Sequence, residues 1–242
     1  PEAFEIRILN IVKIIIDAGA DLNVEHLFGH GSALVMASKN GNEKIVRLLL
    51  DARADLERKN REEQTALMVA AEAGHAGVVQ QLIAAGANIF FRNKYGEEVL
   101  AYGVEGKNKD VVKMLLDEAA GVYGKRILYR GLLLAAKYGL IEIAQMLIDA
   151  GARDSLCWKH VTENNDIVMA RILVEAGIVD VNFKLYDTPL IVAIKKGNKE
   201  MVKILLAIGA DPDLKGADFF QTCPLAYAAV ENPEMVGLLL AA

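Results

Sequence analysis

At 242 residues, 53% hydrophobic and with a formal net charge of −5, the chain is long enough for a large core and has no global basic excess. That balance argues against nucleic acid as a partner, because nucleic-acid binding leaves a clustered positive footprint. Mean hydropathy is high at +0.25, yet the apolar residues come in short runs such as Ile45, Val46, Leu48, Leu49 and Leu50, far short of the ~18 residues that span a bilayer.

In chain order, residues 1–26 read as a partial unit closed by Gly19-Ala20-Asp21. A recurring phrase follows: a small or polar residue, a small residue, Leu, a helix, a Gly or its stand-in, and a second helix. Its copies begin at Ser32, Thr65, Glu98, Arg130, Leu156, Thr188 and Cys223, spaced by 33, 33, 32, 26, 32 and 35 residues. A period of 20–50 residues marks stacked supersecondary units, each burying its apolar face on its neighbours. The chain opens and ends inside such units, so it reads as a piece of something longer.

The copy from Thr188 shows the residue logic. Thr188-Pro189 suits a helix start, where a hydroxyl can accept from an orphan N–H and Pro fits the first turn. Leu190, Val192, Ala193 and Ile194 give a short first helix with one packed face, and Gly197 ends it. Met201, Val202, Leu205 and Leu206 form the stripe of a second helix, stopped by Gly209. The same terminator recurs at Gly19, Gly86, Gly151 and Gly177, with Arg53 and Ala119 as replacements.

Thr65-Ala66-Leu67, Thr188-Pro189-Leu190, the Gly74-His75 pair, and the ends Gly19-Ala20-Asp21 and Gly209-Ala210-Asp211 make the chain resemble the ankyrin repeat family over nearly its whole length. The resemblance implies an all-α ankyrin-repeat solenoid of stacked helix-turn-helix units with projecting loops. It implies one array over 1–242, with a partial repeat at 1–26 and repeats starting near 27, 60, 93, 125, 153, 183 and 218. The His that the family carries after T-P-L is absent; Val35, Met68, Ala101, Leu133, Lys159, Ile191 and Ala226 stand there. The array is expected to be irregular near 119–165, where Ala119-Ala120-Gly121-Val122-Tyr123-Gly124 replaces the usual end and only four residues separate Gly151 from Leu156.

No constellation supports catalysis, a cofactor or a metal. His26 and His30 stand at i, i+4 without a Cys, acid or third His at ligand spacing. His75 takes a structural role, Trp158 packs in the core, and the pairs Glu62-Glu63 and Glu97-Glu98 read as solvated loop carboxylates. Lys195, Lys196, Lys199 and Lys203 read as a solvated helical face. Cys157 and Cys223 are not expected to pair, which points to a reducing, intracellular compartment, cytoplasmic or nuclear.

The resemblance places Phe28, Tyr95, Tyr129, Tyr138, Tyr186, Phe219 and Phe220 at loop tips or on the groove, and Lys39, Glu72, Glu105, Lys137, Glu163 and Lys195 along the concave helix face. Aromatics rimmed by mixed charge are what protein-recognition surfaces use. The expectation is a monomeric, non-enzymatic scaffold that binds another protein or a peptide segment, with no membrane or nucleic-acid partner. The alternative is a regulatory or substrate-recruiting ankyrin domain of a larger multidomain enzyme or signalling protein.

Overall fold

The computed structural model describes residues 2–25, 30–119, 121–183, 187–216 and 222–241. Its elements are helices; the only ladder contact among the described residues is an isolated antiparallel bridge between Arg92 and Glu98. The chain divides into two compact units, Pro1–Ile127 and Leu128–Ala242.

The first unit holds α1 (Glu2–Asp17), α2 (Ala33–Lys39), α3 (Glu43–Asp51), α4 (Ala66–Glu72), α5 (Ala76–Ala84), α6 (Val99–Glu105) and α7 (Lys109–Ala119). First helices α2, α4 and α6 pack in succession, as do α1, α3, α5 and α7. Each first helix has seven residues, too few to persist alone in water. Packing holds them: every residue of α4 from Ala66 to Ala71 is buried. Local chemistry fixes their starts. Thr65 Oγ1 accepts from the Met68 N–H at 3.4 Å and opens α4, and Asn42 Oδ1 accepts from Ile45 N–H at 3.2 Å and opens α3.

The second unit contains most of α8 (Lys125–Tyr138), then α9 (Ile141–Asp149), α10 (Cys157–Asn164), α11 (Ile167–Glu175), α12 (Pro189–Lys195), α13 (Lys199–Ala207), α14 (Pro224–Glu231), a 3₁₀ turn at Pro233–Met235 and α15 (Val236–Leu240). Helices α10, α12 and α14 pack in succession, as do α9, α11 and α13. The Thr188 side chain caps α12, accepting from Ile191 N–H at 3.3 Å with Pro189 in the first turn. Trp158 is fully buried in α10, and its indole N–H donates to the Ile178 carbonyl at 2.8 Å.

Side chains stitch successive repeats within each unit. His75 Nε2 donates to the Lys39 carbonyl at 3.1 Å, the structural role its position suggests, and Asn108 Nδ2 donates to Gly74 O at 2.8 Å. In the second unit Asn164 reaches Lys137 O at 3.0 Å and Asn232 reaches Ile194 O at 2.6 Å. Where the family carries a histidine, Val35, Met68 and Ile191 are buried, so apolar packing replaces a polar contact there.

The region near 119–165 departs from the regular unit. Ala119 does not act as the terminator: α7 runs through it, and the left-handed residue is Gly121 at φ 79°. Arg53 does take the terminator's role, at φ 60°. The first helix of the next repeat starts at Lys125, five residues ahead of the Arg130 copy start. Residues 125–130 lack the Thr-Pro or Gly that would break the helix, and Leu128 extends the stripe of Gly131, Leu132, Ala135 and Ala136 at helical spacing. After α9 the short link forms no hairpin; Arg153 donates to Ile148 O at 2.8 Å, and Cys157 Sγ donates to Asp154 O at 2.6 Å. Cys157 and Cys223 are both free thiols.

Candidate functional site

Two loops of the first unit share one turn architecture. Asn60 N–H donates to Gln64 O at 3.0 Å, while Asn60 Oδ1 accepts from the N–H groups of Glu62 and Gln64 at 3.0 and 2.9 Å. Asn93 repeats this: its N–H donates to Glu97 O at 3.0 Å and its Oδ1 accepts from Tyr95 and Glu97 N–H, each at 2.9 Å. Asn oxygens that bind backbone two and four residues on hold a turn without help from a sheet. The left-handed position is Gly96 in one loop and Glu63, at φ 63°, in the other.

Tyr95 stands on the second of these rigid turns and is 68% exposed, with Lys94 Nζ 5.0 Å from its ring centroid. Beneath it is a polar network that sequence reading missed. Asn93 Nδ2 donates to Tyr102 Oη at 2.7 Å and to Glu97 Oε2 at 3.0 Å, and Tyr102 donates to Glu97 at 3.2 Å. Burial pushes the Tyr102 phenol up to about 12; a hydrogen bond from Gln64 opposes the rise and the Glu97 charge adds to it. Glu98 corrects its reading as a solvated loop carboxylate: it is 5% exposed and meets Arg92 Nε at 2.6 Å. It occupies the residue before α6, where a side chain turns inward, and the bridge across the loop brings Arg92 to it. Burial, then the Glu98 charge, raises the Tyr123 phenol above its usual range, and the Tyr123 and Phe90 rings meet edge to face, 5.4 Å between centroids. The only signal for this network in the sequence is the pair of N-x-x-[GE]-x turn strings at Asn60 and Asn93.

Along the first helices, Lys39, Glu72 and Glu105 are the last residues of α2, α4 and α6. Lys39 and Glu72 are exposed and Glu105 is half-buried. Gln64 Nε2 donates to Glu72 Oε2 at 3.1 Å, which ties the first tip to the helix face. A recess of about 400 Å³ opens beside α2, lined by Met36, Lys39, Asn40, Asn60, Arg61 and Glu62 among others.

In the second unit Tyr129 lies inside α8 and is half-buried, so it is not on a loop. Tyr138 ends α8, 37% exposed, with Lys137 Nζ 5.0 Å from its ring. Lys195 ends α12, bonds Asp187 Oδ2 at 2.9 Å and sits 4.2 Å over the Tyr227 ring. Burial lowers the Lys195 ammonium, but its contacts with Asp187 and Tyr227 outweigh that and leave it above the ordinary lysine value. Glu163 Oε2 lies 3.2 Å from His160 Nδ1. Phe28, Tyr186, Phe219 and Phe220 fall outside the described residues, as does His26. Among the described residues no group of three or more His, Cys, Asp or Glu gathers that could hold a metal, and no helix is long and apolar enough to cross a membrane.

The family model for ankyrin repeats (3 copies) matches residues 3–93, 34–127, 74–156 and 132–242. The chain belongs to the ankyrin repeat family. Among solved structures it is similar to the ankyrin repeat domain of Bcl-3, described as a unique member of the IkappaB protein family: 22% identity, 97% of this chain and 92% of that one, TM-score 0.55. It is also similar to the human ASB11 ankyrin repeat domain, at 20% identity over 96% of this chain and 92% of that one, TM-score 0.57. Among curated proteins none matches the sequence. Ankyrin repeat domains generally mediate protein–protein interaction. In ankyrin terms, the Asn60 and Asn93 turns are loop tips, and α2, α4 and α6 supply the face that adjoins them.

Proposed function

We propose that this chain is a non-enzymatic protein-interaction scaffold, one ankyrin array over 1–242 that takes a partner protein through its loop tips and first-helix face. The observation that carries the reading is Tyr95, a large aromatic exposed on a turn that Asn93 fixes by hydrogen bonds. A rigid, amphipathic ring presented to solvent makes contact area without losing much side-chain freedom, which is why tyrosine is frequent among binding hot spots. Glu72 and Glu105 belong to the same proposed surface of the first unit, and Phe28 joins them on sequence grounds. In the second unit the proposed contacts are Tyr129, from within α8, Lys137, Tyr138 and Lys195, with Tyr186, Phe219 and Phe220 added on sequence grounds.

The test is capture with the intact chain followed by quantitative mass spectrometry, repeated with Tyr95→Ala and with Lys113→Ala on α7. Truncating a hot-spot aromatic costs about 2 kcal/mol or more, roughly a thirtyfold loss of affinity. Proteins retained by wild type and by Lys113→Ala but lost by Tyr95→Ala support the reading. Equal retention by all three refutes it.

A further inference from the structure

The first-helix face of the first unit carries its charges in a fixed order. Lys39, Glu72 and Glu105 occupy the same position, the last residue of a seven-residue helix, in three helices that pack side by side. The order along the face is therefore positive, negative, negative. At the Lys39 end the recess beside α2 adds Arg61 and the exposed Met36 side chain, with Glu62 as its one carboxylate among the described residues. Toward the other end the Asn93 turn adds the Glu97 carboxylate beside Tyr95.

Packed helices lie about 8–10 Å apart, and an extended chain advances about 3.3 Å per residue. One helix-to-helix step thus spans roughly three residues of an extended ligand crossing the helices. We propose, resting on the scaffold reading above, that the first unit recognises an extended protein segment with an acidic residue and, about three and six residues to one side of it, Lys or Arg. The acidic side chain meets Lys39 above the Met36 floor, and the two basic ones meet Glu72 and Glu105. A segment with the sign of each charge inverted places like charges together at each step, which suppresses it as a competitor. A helical ligand advances only about 1.5 Å per residue, so it would need its charges spaced at about six residues instead.

The experiment pans a random display library of about twelve residues, long enough to cross three helices at that rise, on the 242-residue chain. The expected enrichment is Asp or Glu with Lys or Arg about three and six positions to one side of it. A synthetic copy of the enriched peptide should bind a Lys39→Glu, Glu72→Lys double variant about tenfold more weakly, as two rim contacts turn repulsive. The double variant should itself enrich peptides with the first two charges exchanged. Both side chains are exposed, but Glu72→Lys also removes the acceptor of the buried Gln64 amide, so its melt is compared with that of Glu72→Gln, which keeps an acceptor there; if it folds poorly, the wild-type enrichment alone decides. Enriched peptides that lack the charge order yet are lost on Tyr95→Ala overturn the register and leave the tip reading standing. Peptides indifferent to both variants, or no enrichment at all, overturn both.

Discussion

Gly106 gives the sharpest test of how closely the repeats pack. It is the residue after α6, in right-handed helical geometry at φ −68°, so alanine is allowed there by its backbone. A Cβ at this position, however, would fall on the backbone carbonyl of Ala71 and within 2.6 Å of the Glu72 carbonyl oxygen. Ordinary carbon–oxygen contacts in proteins are about 3.3–3.6 Å, so α6 must retreat from α4 by the better part of an ångström, against a face where Val99, Leu100 and Val104 are buried. The matching residue one repeat earlier is Ala73, so a Cβ is accommodated at that position of α4. Overpacking of this kind costs about 1–3 kcal/mol, against a gain of about 0.5–1 kcal/mol for replacing glycine by alanine in helical geometry. The net expectation is a loss of about 1–2 kcal/mol, or roughly 2–8 °C in Tm for a chain of this size. Urea and thermal melts followed by circular dichroism measure it. Gly124→Ala is the control: a Cβ there meets nothing within 4 Å, so the change should be neutral or stabilising by up to ~1 kcal/mol. A Gly106→Ala protein that melts at or above wild type refutes the close approach of α4 and α6.

Trp158→Ala should cost about 3–5 kcal/mol, because it empties a fully buried site and leaves the Ile178 carbonyl without its indole donor; a denaturant melt within 1 kcal/mol of wild type would contradict that placement. Burial, helped by the Asp154 charge, pushes the Cys157 thiol from 9.0 up to about 12, and Tyr102 rises from 10.0 to about 12. The folded state holds these protons more tightly than the unfolded chain, so their contribution to stability is full below pH 9 and is lost as pH rises toward 12. Melts across that range should show the decline, less steep in Tyr102→Phe. Native Cys157 should also resist thiol reagents at neutral pH. Hydrogen exchange should find faster opening at 119–124, where Gly121 replaces the usual terminator, than between Thr65 and Gly86; uniform protection would refute the idea of a weak junction.

The repeat period determined most of the fold by itself. A seven-copy register with Thr65, Thr188 and Pro189 at helix starts and left-handed glycines at helix ends leaves few ways to bury so many Leu and Val residues, and the capping bonds and burial pattern follow it closely. The same register put Lys39, Glu72 and Glu105 at one position of three helices, because a fixed period carries equivalent residues to equivalent places. Where the period failed, the sequence located the irregularity near 119–165 but not its form. Nothing in residues 125–130 interrupts a helix, so α8 extended and took Tyr129 out of the loop. What only the tertiary structure decided were the contacts between residues far apart or on opposite strands of a loop. Glu98 lost its solvent because the turn folds Arg92 back onto it. Tyr102 found Asn93 and Glu97 because α6 packs under its own tip, while the Asn108 and Asn232 stitches join repeats more than thirty residues apart. Periodicity specifies which face of a helix is buried; it holds no information about which polar atoms meet once the faces close, since that depends on distances set by the packing itself.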